Sequence, residues 1–184
     1  MHGPISVGWL LVALCAVTGG YCLLRMRSAV EEQRRAAGGE ALMGFGMAAM
    51  AVPAAAVTPP RWAWLAYTLV FGAAALRALW SARTSACHLH HAVGALAMGY
   101  MAAAMAVAPG GGHGGAGLPL VTGALLVYFA GYVLWAGVRL IPVAAVVGAR
   151  VPVPRARGWG DRPELARACR LSMGIGMLAM LLTV

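Results

Sequence analysis

The sequence predicts an all-α fold, a polytopic bundle of about six transmembrane helices with both termini outside. Three observations carry that prediction. Hydrophobic residues make up 61% of the 184-residue chain and charged residues only 10%, against roughly 25% charged in an ordinary soluble domain. No charged residue interrupts His2 to Leu24, Ala41 to Pro60 or Thr84 to Val138. All 14 basic residues are arginine, gathered between these apolar segments. A helical span needs about 20 apolar residues, so the last stretch can hold two spans and a turn. A soluble protein of this length could not bury so much apolar surface in one core.

The chain reads as a single integral membrane domain, 1–184, with spans near 5–24, 41–57, 62–80, 88–108, 118–138 and 168–184. The first span opens after MHGP, which lacks the positive leader of a secretory signal, and no cleavage motif is evident; the helix is expected to be retained. Arg25, Arg27, Arg34 and Arg35 follow it, interleaved with Glu31 and Glu32, and hold the amino terminus outside. The second span ends at Thr58-Pro59-Pro60, which breaks a helix. Arg61, Trp62 and Trp64 then mark the outer interface, and Trp80 marks the inner one at the far end of the third span. Arg77 falls in the last turn of that span, where a long side chain can snorkel to the headgroups.

The fourth span leads into PGGGHGGAGLP, residues 109–119, too rich in glycine for a helix and expected to be a flexible outer turn. Arg139 and Pro142 mark the inner end of the fifth span, although its apolar run continues to Val147. The cytoplasmic loop 148–167 carries Arg150, Arg155, Arg157, Arg162 and Arg167. The sixth span is short, so Arg170 is expected to act as a snorkelling anchor unless this helix packs inside the bundle. In this topology every arginine but Arg61 lies on the cytoplasmic side. A net charge of +9 is thereby a feature of topology in a plasma-membrane protein, and no motif suggests nucleic acid.

Polar chemistry is sparse. No Asp or Glu falls in the middle of a predicted span, so a carboxylate proton relay has no obvious carrier. There is no Ser-His-Asp arrangement, phosphate loop or HExxH, and the sequence favours a non-catalytic role over an enzyme. The four cysteines do not form a secreted disulfide framework: Cys15 and Cys22 lie in an apolar helix, and Cys87 and Cys169 fall at helix starts on the reducing side.

A repeated methionine pattern is the exception. Met43, Met47 and Met50 lie in the second span, Met98, Met101 and Met105 in the fourth, and Met173, Met177 and Met180 in the sixth. Spacings of three and four put each triplet on one helix face. Cys87 and His91 share the face of Met98 and Met105, and Cys169 shares that of Met173. Cys87, His91, Cys169, Met173 and Met43 are therefore expected in one layer near the inner surface, with His88 and His90 beside it on other faces. Thiolate and thioether sulfur suit monovalent copper, and imidazole accepts copper, haem iron or zinc. Met, Ala and Gly are also ordinary fillers of closely packed membrane helices.

The segments MHGP…GWLL, ALMGFGMAAMAVP, CHLHHAVGALAMGYMAAAMA and LSMGIGMLAML together resemble a family of small actinobacterial integral membrane proteins, domain of unknown function 5134. The likeness extends over nearly the whole chain. Its most specific part is the histidine-rich start of the fourth span followed by methionines, here His88, His90, His91, Met98 and Met101. The resemblance implies a helical fold in a membrane and carries no activity with it. Three functions follow from the residues: a soft-metal site, with monovalent copper as the metal; a b-type haem or quinone-linked electron carrier; or a membrane scaffold. The scaffold would work as a homo-oligomer or as an accessory subunit of a larger membrane complex, with the lipid bilayer as its other partner.

Overall fold

The computed structural model describes residues 5–28, 31–53, 56–82, 87–107, 117–147 and 162–183. Among them are six helices and no strand: α1 (Ile5–Arg25), α2 (Glu31–Met50), α3 (Arg61–Ala82), α4 (Cys87–Val107), α5 (Pro119–Val147) and α6 (Pro163–Leu181). The expected outer turn at 109–116 and the greater part of the expected cytoplasmic loop, 148–161, lie outside the described residues. Four segments are long and apolar enough to cross a membrane: Ser6–Arg25, Arg61–Ser81, Leu89–Val107 and Pro119–Arg139. The other two helices, α2 and α6, carry several charges each, among them Glu40 and Arg170.

Helix boundaries depart from the apolar segments where polar residues continue a helix. The expectation for the second span was 41–57, whereas α2 begins at Glu31 and stops at Met50. Its charged first turns form an i,i+4 pair, Arg35 Nη2 to Glu31 Oε1 at 2.5 Å, the spacing at which side chains meet on a helix face. At the far end Pro53 keeps its preceding residue out of the α region, which favours an early stop. The last helix begins five residues before the expected 168, with Pro163 in the first turn, where its missing N–H costs nothing. At 19 residues it is about 28 Å long at 1.5 Å per residue. Helix α5 runs through Pro142 to Val147.

The helices pack mainly as sequential hairpins, α1 on α2, α3 on α4 and α5 on α6, with α1 and α2 also touching α6. Of the four membrane-length segments, the one in α4 has 56% of its residues buried and the one in α5 only 6%. Helix α4 is therefore central and α5 peripheral. Large apolar side chains such as Leu69, Leu76, Trp80, Leu120 and Leu134 point outward from α3 and α5. Between α1 and α2 the backbones nearly touch: a Cβ on Gly44 would lie 2.9 Å from both N and Cα of Gly19. Small residues are what permit such close approach of membrane-type helices. Tyr100 of α4 bonds across to α5, its hydroxyl 2.8 Å from Thr122 Oγ1 and donating to Leu118 O at 3.2 Å.

Candidate functional site

The polar centre of the bundle is Glu40, which is completely buried. It lies where α1, α2, α4 and α6 meet. From the last turn of α1, Arg25 Nη1 donates to Glu40 Oε2 at 2.5 Å, and this guanidinium is also buried. From the second turn of α6, Arg170 Nε donates to Oε1 at 2.7 Å. His91, in the second turn of α4, brings Nε2 to 4.0 Å from Oε1. The Cys22 thiol, one turn before Arg25, donates to Oε2 at 3.6 Å, and Cys169 lies beside Cys22. Both carboxylate oxygens thus accept from guanidinium N–H groups, a charge-assisted geometry roughly twice as strong as a neutral bond.

Sequence spacing explains the convergence. Glu40 precedes Met43 by three residues and continues the stripe of Met43, Met47 and Met50 toward the charged end of α2. Cys169 and Arg170 precede Met173 in the same way, and His91 lies two turns before Met98. Each methionine stripe therefore runs into a polar residue at the same end of the bundle.

All nine stripe methionines, 43, 47, 50, 98, 101, 105, 173, 177 and 180, are buried in one core together with Cys15 and Cys22. Several sit over glycines. A Cβ on Gly94 would lie 2.8 Å from Met43 Sδ, and one on Gly176 would lie 3.6 Å from both Met47 Sδ and Cys15 Sγ. Of the expected layer, His91 and Cys169 converge on Glu40 and its neighbour Cys22, while Met43 seats on α4. Helix α4 starts at Cys87, but the side chains of Cys87 and His88 lie outside the described residues. His90 turns toward α5, stacked on Tyr132 at 3.7 Å with Nδ1 3.1 Å from the Tyr128 hydroxyl. Among the described residues no three His, Cys, Asp or Glu side chains are grouped as a metal site would need.

Four residues of the centre were not expected there. Glu40 falls just before the expected span, 41–57, yet it is enclosed because α2 begins ten residues ahead of that segment. A buried carboxylate is present after all. Arg170 was expected to snorkel unless α6 packed inside the bundle; it turns inward to Glu40. By sequence Arg25 is a topological charge, and Cys22 is placed no more closely than in an apolar helix. The available signal was the periodic one: Glu40 lies three residues ahead of a methionine stripe, as Arg170 does.

Among the described residues the fold and centre define a bundle of six helices, four of them long and apolar enough to cross a membrane, with one buried carboxylate held by two arginines. The chain belongs to the family described as Domain of unknown function (DUF5134), which it matches over residues 32–184. No curated protein and no solved structure matches the chain significantly. The matched region leaves out α1, including the MHGP…GWLL segment, although α1 supplies Arg25 and Cys22 to the centre.

Proposed function

We propose that the protein is an integral plasma-membrane protein, with both termini outside and its arginine-rich end in the cytoplasm. In this reading it serves as a non-catalytic scaffold or accessory subunit. The observation that carries the reading is how the polar centre is used. Both oxygens of Glu40 are engaged within the bundle, while the outward surface of α3 and α5 is apolar. A carboxylate flanked by two guanidinium groups repels a metal cation and has little left to offer a substrate. The outward faces, by contrast, suit lipid or another helix. The test is extraction followed by mass measurement. The protein is expected to stay in carbonate-washed membranes and, after gentle solubilisation, to run as a stoichiometric complex or homo-oligomer. A metal-free, partner-free monomer would overturn the scaffold role, and release by carbonate would overturn membrane residence.

A second reading has one specific observation behind it. Met47 Sδ and Cys15 Sγ approach the same point above Gly176, within a core that holds all nine stripe methionines. Such sulfur suits monovalent copper. Protein purified without chelators from copper- and iron-replete cells would then carry near-stoichiometric copper, lost in a Met47→Leu, Met98→Leu double variant. A Soret band instead would point to haem. Neither signal would leave the stripes as packing.

A further inference from the structure

Helices α2 and α3 approach each other closely around Gly46. They touch where Gly46 admits the side chains of Tyr67 and Phe71; a Cβ there would lie 2.4 Å from Phe71 Cζ and 2.6 Å from the Tyr67 hydroxyl. Toward the charged start of α2 lies a groove of about 1160 Å³. Its inner lining is mostly apolar, with Met43, Phe71, Ala74 and Ala95 beside His91. Its rim is cationic, with Arg34, Arg35 and Arg77 beside Trp80. Arg35 pairs with Glu31, whereas Arg34 and Arg77 have no carboxylate partner among the described residues. Gly39 on the groove wall faces open space, with nothing within 4 Å of a Cβ built there.

We propose that this groove binds an anionic phospholipid, the phosphate held between Arg34 and Arg77 and an acyl chain lying along Phe71 and Ala74. Charge complementarity selects the head: two guanidinium groups with no carboxylate partner among the described residues match a phosphodiester, and arginine is well suited to phosphate oxygens. Volume and lining select the tail. A space of about 1160 Å³ is larger than a typical small-molecule pocket of roughly 300–1,000 Å³, and a bare phosphate would leave its apolar lining empty. Trp80 on the rim suits the headgroup level, where tryptophan is enriched. Basic pockets between helices on the cytoplasmic side commonly take lipid headgroups. The inference rests on membrane residence as proposed above and is independent of the scaffold role.

The test uses the full-length protein, shown first to resist carbonate extraction, then delipidated in mild detergent. Trp fluorescence and native mass spectrometry follow titration with phosphatidylglycerol, phosphatidylcholine of the same chains, and inorganic phosphate. Phosphatidylglycerol is expected to bind tighter than phosphatidylcholine by about ten-fold or more. An Arg34→Gln, Arg77→Gln double variant should abolish that preference with the thermal transition unchanged, because both side chains are exposed. Gly39→Leu, which fills the groove, should weaken binding of both lipids. Equal affinity for the two lipids, or a preference that survives the arginine changes, would overturn the proposal. Displacement of the lipid by millimolar inorganic phosphate would also overturn it, in favour of a free-anion site.

Discussion

The two ends of the bundle are held by different chemistry. At the end where α2 begins, four helices meet on one buried carboxylate and its arginines. Toward the opposite end the helices meet through glycines and methionines, with Gly19 against Gly44 and Met47 over Gly176. The charged end resists loss of a single partner badly, because an orphaned buried charge has nowhere to go. The packed end responds to volume, since interiors close-packed like organic crystals register even a methylene. The same short polypeptide thus carries one region sensitive to charge and another sensitive to shape.

The comparison is sharpest at Glu40. Changing Glu40→Ala strands the buried Arg25 guanidinium and is expected to cost about 3–5 kcal/mol, read as a lowered unfolding midpoint in detergent. Replacing Arg25, Glu40 and Arg170 together by apolar residues of similar volume should recover most of that loss. If the triple variant is no more stable than Glu40→Ala, the ion set is not the source of the effect. Next in size is Gly44→Ala, whose added carbon would meet the backbone of Gly19 rather than a yielding side chain. A cost of roughly 1–3 kcal/mol is expected. The contrasting Gly39→Ala has open space and should be neutral or stabilising by up to about 1 kcal/mol. Equal effects at the two glycines, compared by thermal scans, would dissolve the contrast. Met47→Leu keeps volume without the sulfur and should cost less than about 1.5 kcal/mol; a larger loss, reversed by added copper, would favour ligation over packing. Smallest is Arg35→Ala, which removes an exposed pair with Glu31 and should change stability by about 0.3–0.5 kcal/mol.

Periodicity and charge distribution made the helical architecture legible. Four of the expected spans correspond closely to membrane-length helices, because uninterrupted apolar residues leave few alternatives. The methionine stripes were also legible, since spacings of three and four fix a face whatever the partner is. Glu40 was harder. It stands after Gly38 and Gly39, beside a run of charges, and propensity alone does not carry a helix through such a segment. Its enclosure depends on Arg170, 130 residues away, and no local pattern reports a pairing of that range. Cys22 illustrates the same limit: buried filler and hydrogen-bond donor look identical until the neighbouring helix is known. The groove between α2 and α3 was invisible for a related reason, because it is formed by helices together rather than by any one segment.

The order of the ion set along the chain bears on biogenesis. Arg25 and Glu40 are 15 residues apart and belong to one hairpin, so their charges can cancel as soon as α1 and α2 have left the ribosome. In the membrane setting proposed above, a hairpin with that pair closed carries a smaller electrostatic load than α2 alone. Arg170 arrives only when α6 is made. The last helix then docks on a carboxylate that has one oxygen already engaged and the other waiting, which gives the final step of assembly a defined address.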